Sequence, residues 1–209
     1  YTQNGGKLLA SGISGLNSEK NGFLFDFGAE YCGKGEFCPD YMHPCREYGY
    51  LPETDYVMYA GGVKILPTTG IELAKKTNPY FNRTAEHFCS HKHAPCSGKY
   101  GGSGIVQGSD GIFISWKIFE DYAQNGSLHC KTAVCFALDR LLDGEKLLYT
   151  NLGAQGIVTM AKQSDRKIVH LLYAVPVKRG KSTEVIEDIL PIYDISVKVK
   201  TSKPKAVYK

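Results

Sequence analysis

The densest group of coordinating and proton-transferring side chains in this sequence lies between Asn78 and Cys96. The stretch holds three of the six histidines and two of the seven cysteines, and it starts with a Pro-Tyr-Phe corner. Pro79 and Pro95 bracket it, which indicates a loop rather than a helix or a strand. If the chain has a functional site, the residue types place it here.

Two interpretations of this loop follow from the residues themselves. The spacing Cys-x-His-x-His-x-x-Cys at 89–96 offers four zinc ligands. Alternate residues of an extended segment point in opposite directions, however, so His91 and His93 share a side only in a strand. In the other interpretation the histidines and Arg83 are hydrogen-bonded within a buried loop. Both interpretations stay open at this point.

Composition excludes several classes of protein. The net charge is only +4, and the one basic run, between Lys198 and Lys209, alternates with apolar or small residues as a solvated strand face does. We therefore expect no nucleic acid partner. No apolar run reaches the roughly 18 residues that a membrane span requires, so we also expect no membrane partner.

The cysteines indicate a reducing compartment. Seven is an odd number, and their spacings fit neither a paired zinc ribbon nor a compact secreted framework. Cys32, Cys38 and Cys45 are six and seven residues apart, which is wider than a metal knuckle. We expect reduced thiols, a cytoplasmic location and no cofactor.

The first third of the chain suggests half of an α/β unit followed by an insertion. Residues 1–7 read as the last turn of a helix that ends at glycines, and residues 8–12 as a buried strand. A parallel sheet would need a strand before that helix, so we expect the N-terminus to be truncated. Residues 13–55 are rich in Gly, Pro, Tyr and Cys and predict a long loop-rich insertion.

The middle of the chain alternates between strand, hairpin and helix signals. Strands are predicted at 56–60 and 63–66, and one or two helical turns at 70–76. The turn Ser109-Asp110-Gly111 between two apolar runs predicts a hairpin. One helix is predicted at 117–124 and another after Ser127, with a buried stripe comprising Leu128, Thr132, Cys135, Leu138 and Leu142, beside Val134 and Leu141.

The periodicity changes to that of an antiparallel β domain after about residue 150. Strands are predicted at 156–163, 167–175 and 193–200. Another strand is predicted at 206–209, where the sequence stops, so we expect the C-terminus to be truncated as well.

These segments resemble a known enzyme family. Residues 1–12, residues 111–142 and the strand ending at Tyr173 look like the trimerisation domain and the following β domain of glycoside hydrolase family 42 β-galactosidases and their relatives. Residues 79–95 are similar to a branch of less characterised bacterial glycosidases with the same layout. The resemblance implies a catalytic (β/α)8 barrel with two glutamates, then a flavodoxin-like domain similar to class I glutamine amidotransferases, then a β-sandwich.

The expected fold class is thus α/β. Residues 1–150 would be a flavodoxin-like assembly domain truncated at its N-terminus, and residues 151–209 the start of a C-terminal β-sandwich. Amidotransferase chemistry is excluded, because it needs a cysteine on a tight strand-to-helix elbow and no cysteine has that context. The glutamates of a glycosidase belong to the barrel, which the sequence lacks, so no residue is assigned a catalytic role.

The resulting functional expectation is a non-catalytic accessory and oligomerisation region of a bacterial glycoside hydrolase. Its expected partners are a catalytic barrel of the same polypeptide, further copies of the chain and a saccharide. The alternative is an autonomous metal-binding or redox protein built on residues 89–96. Aromatic rings stack on sugar faces, and His and Arg donate to hydroxyl groups. The residues expected to rim the sugar pocket of the barrel are Tyr80, Phe81, Arg83, His87, His91 and His93.

Overall fold

A computed structural model describes residues 1–45, 51–202 and 204–208. Residues 46–50 of the predicted insertion, and Lys203 and Lys209 of the basic run, lie outside this part of the chain. The regular secondary structure of the described residues is mostly β-strand, with two α-helices. The chain divides into two compact units, Tyr1–Gly144 and Glu145–Lys209, called the first and the second unit.

A six-stranded sheet organises the first unit. Its strand order is β1-β8-β7-β6-β3-β4, and β2 and β5 form a separate antiparallel pair. Only β1 and β8 pair in parallel, whereas the other neighbours in the sheet are antiparallel. The strands are β1 Leu8–Ser11, β2 Ala29–Lys34, β3 Asp40–Pro44, β4 Tyr56–Met58, β5 Val63–Pro67, β6 Ile71–Pro79, β7 Cys96–Gln107 and β8 Gly111–Ile114.

The structure does not confirm the flavodoxin-like fold. That fold is built on a parallel sheet with helices on both faces, whereas the long strands β6 and β7 pair as an antiparallel ladder. The helical turns predicted at 70–76 are wrong, because these residues begin β6. Glu, Leu, Ala and Lys favour helices, but pairing with β7 on one side and β3 on the other overrides that preference.

The prediction of a loop-rich insertion at 13–55 is also only partly correct, because this segment contains β2 and β3. None of the five residues of β3 is exposed, yet its sequence Asp-Tyr-Met-His-Pro shows no apolar alternation. Burial on both faces removes the period-two signal from such a strand. The residues before β1 form a short 3-10 helix, Thr2–Asn4, rather than the end of a longer helix.

Several local predictions are confirmed. The strands β1, β4 and β5 lie where the sequence placed them, and β7 and β8 form the hairpin at the Asp-Gly turn. Helix α1 spans Ile118–Asn125 and ends at Gly126, whose φ of 64° is left-handed. Helix α2 spans Leu128–Leu142.

The face of α2 that is buried differs from the predicted stripe. Cys130, Ala133, Phe136 and Ala137 are buried, whereas Leu128 is 69% exposed and Cys135, Leu138 and Leu142 are exposed too. Three of these four buried residues are small, so the buried face is not the one with the most leucines. Burial raises the pKa of the Cys130 thiol to about 12, as suits a packing residue.

The core of the first unit has two layers. Consecutive residues of β8 alternate between them: Ile112 and Ile114 pack with Trp116 and helix α2, and Phe113 packs with Phe27 and β5. This is the alternation of a strand that is buried on both faces.

The second unit consists of paired strands and has no buried residue among those described. The antiparallel hairpin of β10 and β11 confirms two of the predicted strands. The strand predicted at 193–200 is only three residues long, and residues 206–208 form no strand. The β-sandwich therefore stays a prediction. The strands are β9 Leu148–Thr150, β10 Gly156–Gln163, β11 Arg166–Tyr173, β12 Val177–Arg179, β13 Thr183–Val185 and β14 Val197–Val199.

Candidate functional site

The candidate site is the segment between β6 and β7, residues 80–95, which we call the histidine loop. The loop is closed at its base, because Pro79 pairs with Cys96 and the Tyr80 amide donates to the Pro95 carbonyl at 3.0 Å. The two prolines that framed the loop in the sequence therefore lie at its two ends. No regular secondary structure forms in between.

Two side chains that are distant in the sequence, one on β3 and one just after β4, anchor the second half of the loop. The hydroxyl of Tyr41, on β3, donates to the buried carbonyl of Ala94 at 2.5 Å. Burial raises the pKa of Tyr41 to about 12, so this phenol stays protonated and remains a donor. The Tyr59 hydroxyl is hydrogen-bonded to His93 Nδ1 at 2.9 Å. The loop is thus held by the sheet and not by its own sequence alone.

A third anchor fixes the first half of the loop. The Asn82 side chain donates to the Glu36 carbonyl at 2.9 Å and accepts from the Cys38 amide at 3.1 Å. This residue therefore ties the loop to the segment between β2 and β3.

The outer side of the loop presents aromatic rings and hydrogen-bond donors to solvent. Tyr80 is 68% exposed and Phe88 is 66% exposed. Arg83, His87 and His91 are exposed as well. Such a surface can stack on flat apolar faces and donate to hydroxyl or carboxylate oxygens.

The structure brings some of the six predicted site residues together and leaves others apart. The rings of Phe81 and His87 stack with centroids 3.8 Å apart. His91 and His93 lie with ring centroids 6.5 Å apart. Burial, followed by the nearby charges of His91 and Arg83, lowers the pKa of His93, so the neutral ring is favoured. Tyr80 stands at the base of the loop.

Geometry gives no support to a metal site in the loop. The part of the chain that the structure describes contains no group of three or more His, Cys, Asp or Glu side chains arranged to hold a metal ion. Instead, the Cys89 thiol donates to the carbonyl of His93 at 3.3 Å. The other cysteine of the motif, Cys96, donates to the Thr77 hydroxyl at 3.5 Å.

A polar chain beneath the loop was missed by sequence reasoning. The Thr77 hydroxyl donates to Asp55 Oδ1 at 2.8 Å, and His43 Nδ1 lies 3.1 Å from the same oxygen. Burial raises the pKa of Asp55, but the hydrogen bonds from Thr77, Cys96 and His43 outweigh it and lower the value. The four residues come from segments far apart in the sequence, so no local spacing could have revealed them.

Comparison with known proteins now bears on this geometry. No family model and no curated protein matches the chain. The structure is similar to that of α-L-fucosidase isoenzyme 2 from Paenibacillus thiaminolyticus, with a TM-score of 0.91 and 48% sequence identity over 95% of this chain. The chain is related to a glycoside hydrolase. It spans 30% of the length of that enzyme.

This likeness supports a β-rich, glycosidase-related region. It does not confirm the family 42 trimerisation domain or a β-galactosidase-like activity, which stay predictions.

No helix among the described residues is long and apolar enough to cross a bilayer.

Proposed function

We propose that this chain is a non-catalytic accessory region of a bacterial glycoside hydrolase of the α-L-fucosidase type. The observation that carries the proposal is the 48% identity to the Paenibacillus enzyme over 95% of this chain. The matched region makes up 30% of that enzyme. The paired carboxylates that glycoside hydrolysis requires would then come from a (β/α)8 barrel of the same polypeptide. The odd number of cysteines favours the cytoplasm for such an enzyme.

The histidine loop supports a direct role in saccharide binding. Its outer side combines an exposed ring, Tyr80, with the donors Arg83 and His91, while Tyr41 and Tyr59 hold its inner side to the sheet. Binding sites commonly consist of loop residues positioned by a rigid scaffold. In this proposal the outer side faces the sugar pocket of the barrel and helps to orient the substrate.

Helices α1 and α2 support a further role in assembly. Five large apolar side chains on these helices are exposed, and exposed apolar side chains that cluster are typical of a contact between proteins. We propose that they contact another copy of the chain. These residues are Phe119, Tyr122, Leu128, Leu138 and Leu142. Light scattering after size exclusion should show an oligomer that Leu128→Glu dissociates, whereas Leu171→Glu in the second unit should leave it intact.

A chimeric enzyme tests the proposed parent activity. The matching region of the Paenibacillus α-L-fucosidase would be replaced by residues 1–209 of this chain, and hydrolysis of 4-nitrophenyl α-L-fucoside and 4-nitrophenyl β-D-galactoside would be measured. We expect a folded chimera that hydrolyses the fucoside. A folded chimera that is inactive on the fucoside would contradict the proposal, and a shift to galactoside hydrolysis would favour the β-galactosidase-like prediction instead.

A further inference from the structure

The chain contains three asparagines that are followed directly by glycine, namely Asn4, Asn21 and Asn125. Asparagine is a chemically labile residue. It is most labile before glycine, because no side chain hinders the glycine amide nitrogen when it attacks the side-chain carbonyl carbon. All three asparagines are exposed to solvent. The way in which the fold holds each glycine amide therefore decides which pair can react in the folded protein.

Two of the three glycine amides are already used to cap a helix. The Gly5 amide donates to the Thr2 carbonyl at 2.9 Å, and the Gly126 amide donates to the Tyr122 carbonyl at 2.8 Å. Both glycines have a left-handed φ, 82° at Gly5 and 64° at Gly126, as is common where a helix ends. The caps explain why glycine stands at these two positions, and they occupy the nitrogen that would have to react.

Gly22, the glycine of the third pair, differs in each of these respects. Its amide makes no hydrogen bond to another described residue, and its φ does not lie in the left-handed region. Beyond its chain neighbours, a Cβ atom at this position would meet only Asn17 Nδ2, at 3.9 Å. Neither the backbone conformation nor the available space therefore requires a glycine here, and the Gly22 nitrogen is free to react.

Neighbouring side chains polarise the Asn21 amide. Asn17 Nδ2 donates to Asn21 Oδ1 at 2.6 Å, and Asn21 Nδ2 donates to Glu19 Oε2 at 2.8 Å. A donor at the carbonyl oxygen stabilises the negative charge that this oxygen gains when a nucleophile adds to Cγ. Asn125 differs, since its Nδ2 donates to buried Asp121 at 3.0 Å and its Oδ1 accepts no hydrogen bond from a described residue.

We propose that Asn21 and Gly22 form a site of spontaneous deamidation. The Gly22 nitrogen bonds to Asn21 Cγ, the bond between Cγ and Nδ2 breaks, and ammonia leaves with the proton that the Gly22 amide gives up through water. Water then opens the resulting cyclic succinimide at either carbonyl carbon and leaves aspartate or isoaspartate at position 21. The net reaction exchanges an amide and water for a carboxyl group and ammonia. This inference does not depend on the proposed glycosidase function.

The reaction should loosen the turn that contains it. A carboxylate in place of the amide would face the Glu19 carboxylate, so a hydrogen bond would be replaced by repulsion between like charges. The turn is closed by the Asn17 amide, which donates to the Gly22 carbonyl at 2.9 Å. Phe23 follows it, and its ring packs on Phe113 in the core with centroids 4.5 Å apart. Deamidation should therefore weaken this contact with the core.

Peptide mass spectrometry can follow the three asparagines separately. The 209-residue chain would be incubated at mildly alkaline pH, both folded and in urea, and the loss of each side-chain amide would be measured over time. In the folded chain we expect Asn21 to react at least about tenfold faster than Asn125, because the cap hydrogen bond of Gly126 must break first. Urea removes both the caps and the turn, so the difference should disappear there.

Variants within the turn test the two groups that are assigned to the reaction. Gly22→Ala fits the available space but hinders the nitrogen, and it should slow the loss of the Asn21 amide at least about tenfold. Asn17→Ala removes the donor at Oδ1 and should slow it about fivefold, the typical worth of one hydrogen bond. Ser18→Ala, at an exposed position of the same turn, should leave the rate unchanged. Asn21→Asp should unfold at a lower urea concentration than Asn21→Gln, which keeps a donor for Glu19.

Three results would overturn the inference. One is an Asn4 or Asn125 amide that is lost as fast as the Asn21 amide in the folded chain. Another is a Gly22→Ala or Asn17→Ala variant in which Asn21 reacts as fast as in the parent chain or faster. The third is an Asn21 amide that stays intact in the folded chain over the time in which the same amide is lost in urea, which would show that the turn protects it.

Discussion

The histidine loop and the buried ion pair of Lys76 and Asp40 place polar groups in opposite surroundings. The loop turns Arg83 and His91 toward solvent and is held by a few hydrogen bonds to Tyr41, Tyr59 and Asn82. Lys76 and Asp40 are withdrawn from solvent almost completely. Charged and polar groups of one unit therefore differ widely in how much hydration they lose on folding. Changes on the loop surface should leave the free energy of unfolding nearly unchanged, whereas changes at the ion pair should first affect folding.

The largest expected effect is at Asp40. Asp40→Ala removes the partner of Lys76 and the acceptor of Trp116 Nε1, and it leaves a buried ammonium alone. We expect the free energy of unfolding to fall by about 3–5 kcal/mol, measured by urea denaturation. The Asp40→Asn/Lys76→Met variant should lose much less. Equal losses in both variants would show that the charges themselves are not the reason.

Tyr41 should have the next largest effect, because it links the loop to the buried sheet. Tyr41→Phe leaves the Ala94 carbonyl without its donor and should cost about 1–3 kcal/mol of unfolding free energy. Limited proteolysis should then cut within residues 80–95 more readily. Tyr80→Phe is the matched control, since that ring is exposed. A Tyr41→Phe protein as stable and as protease-resistant as the parent would mean that the loop needs no such anchor.

Sequence alone could identify the loop but not its anchors. Pro79 and Pro95 delimit it locally, as Asp110-Gly111 delimits the β7–β8 hairpin, and such signals involve neighbouring residues only. Tyr41 and Tyr59 contact the loop from other segments of the chain. The residues near them in the sequence give no signal that predicts these contacts.

Strand β6 and its buried Lys76 escaped prediction for the same reason. Lys76 lies in a segment whose composition favours a helix, and only pairing with β3 and β7 makes it a strand. A buried lysine between buried neighbours cannot be told from an exposed one without knowing what packs on it. The sheet order depends on contacts between distant strands and is therefore not encoded in local periodicity.

Protonation of histidine should destabilise both the histidine loop, through His93, and helix α2, through His129. Burial lowers the pKa of His129, although the Val57 carbonyl and Asp121 oppose it, and burial also lowers that of His93. Because the folded state holds these rings neutral, their contribution is complete above the ordinary value of 6.5 and is lost as the pH falls through the lower folded values.

Urea midpoints at about pH 7.5 and pH 5.5 measure this loss, which cannot exceed about 1.4 kcal/mol per pH unit for one proton. We expect a smaller difference between the two pH values in His129→Gln than in the parent chain. His93→Gln should reduce the pH dependence of proteolysis within the loop. Unchanged pH dependence in both variants would contradict the assignment of neutral rings.

The smallest effect on stability is expected on the outer side of the loop. Arg83→Ala, His91→Ala and Tyr80→Ala should each change the free energy of unfolding by no more than about 0.5 kcal/mol, because these side chains are exposed. Thermal unfolding followed by circular dichroism is sufficient. A loss above about 2 kcal/mol in any of them would place that residue in the structural core of the loop.

The proposed role of the histidine loop in saccharide binding can be tested by introducing these same three substitutions into the active chimera with the Paenibacillus enzyme. If the loop supplies donors and a ring to the sugar pocket, the triple variant should lower kcat/KM for the fucoside by about 100-fold or more, since each lost hydrogen bond or stacking contact costs about 1 kcal/mol. The melting temperature should not change, and His170→Ala, an exposed histidine of the second unit, should leave kcat/KM at the parent value. A stable triple variant with unchanged kcat/KM would show that the histidine loop does not contact the sugar.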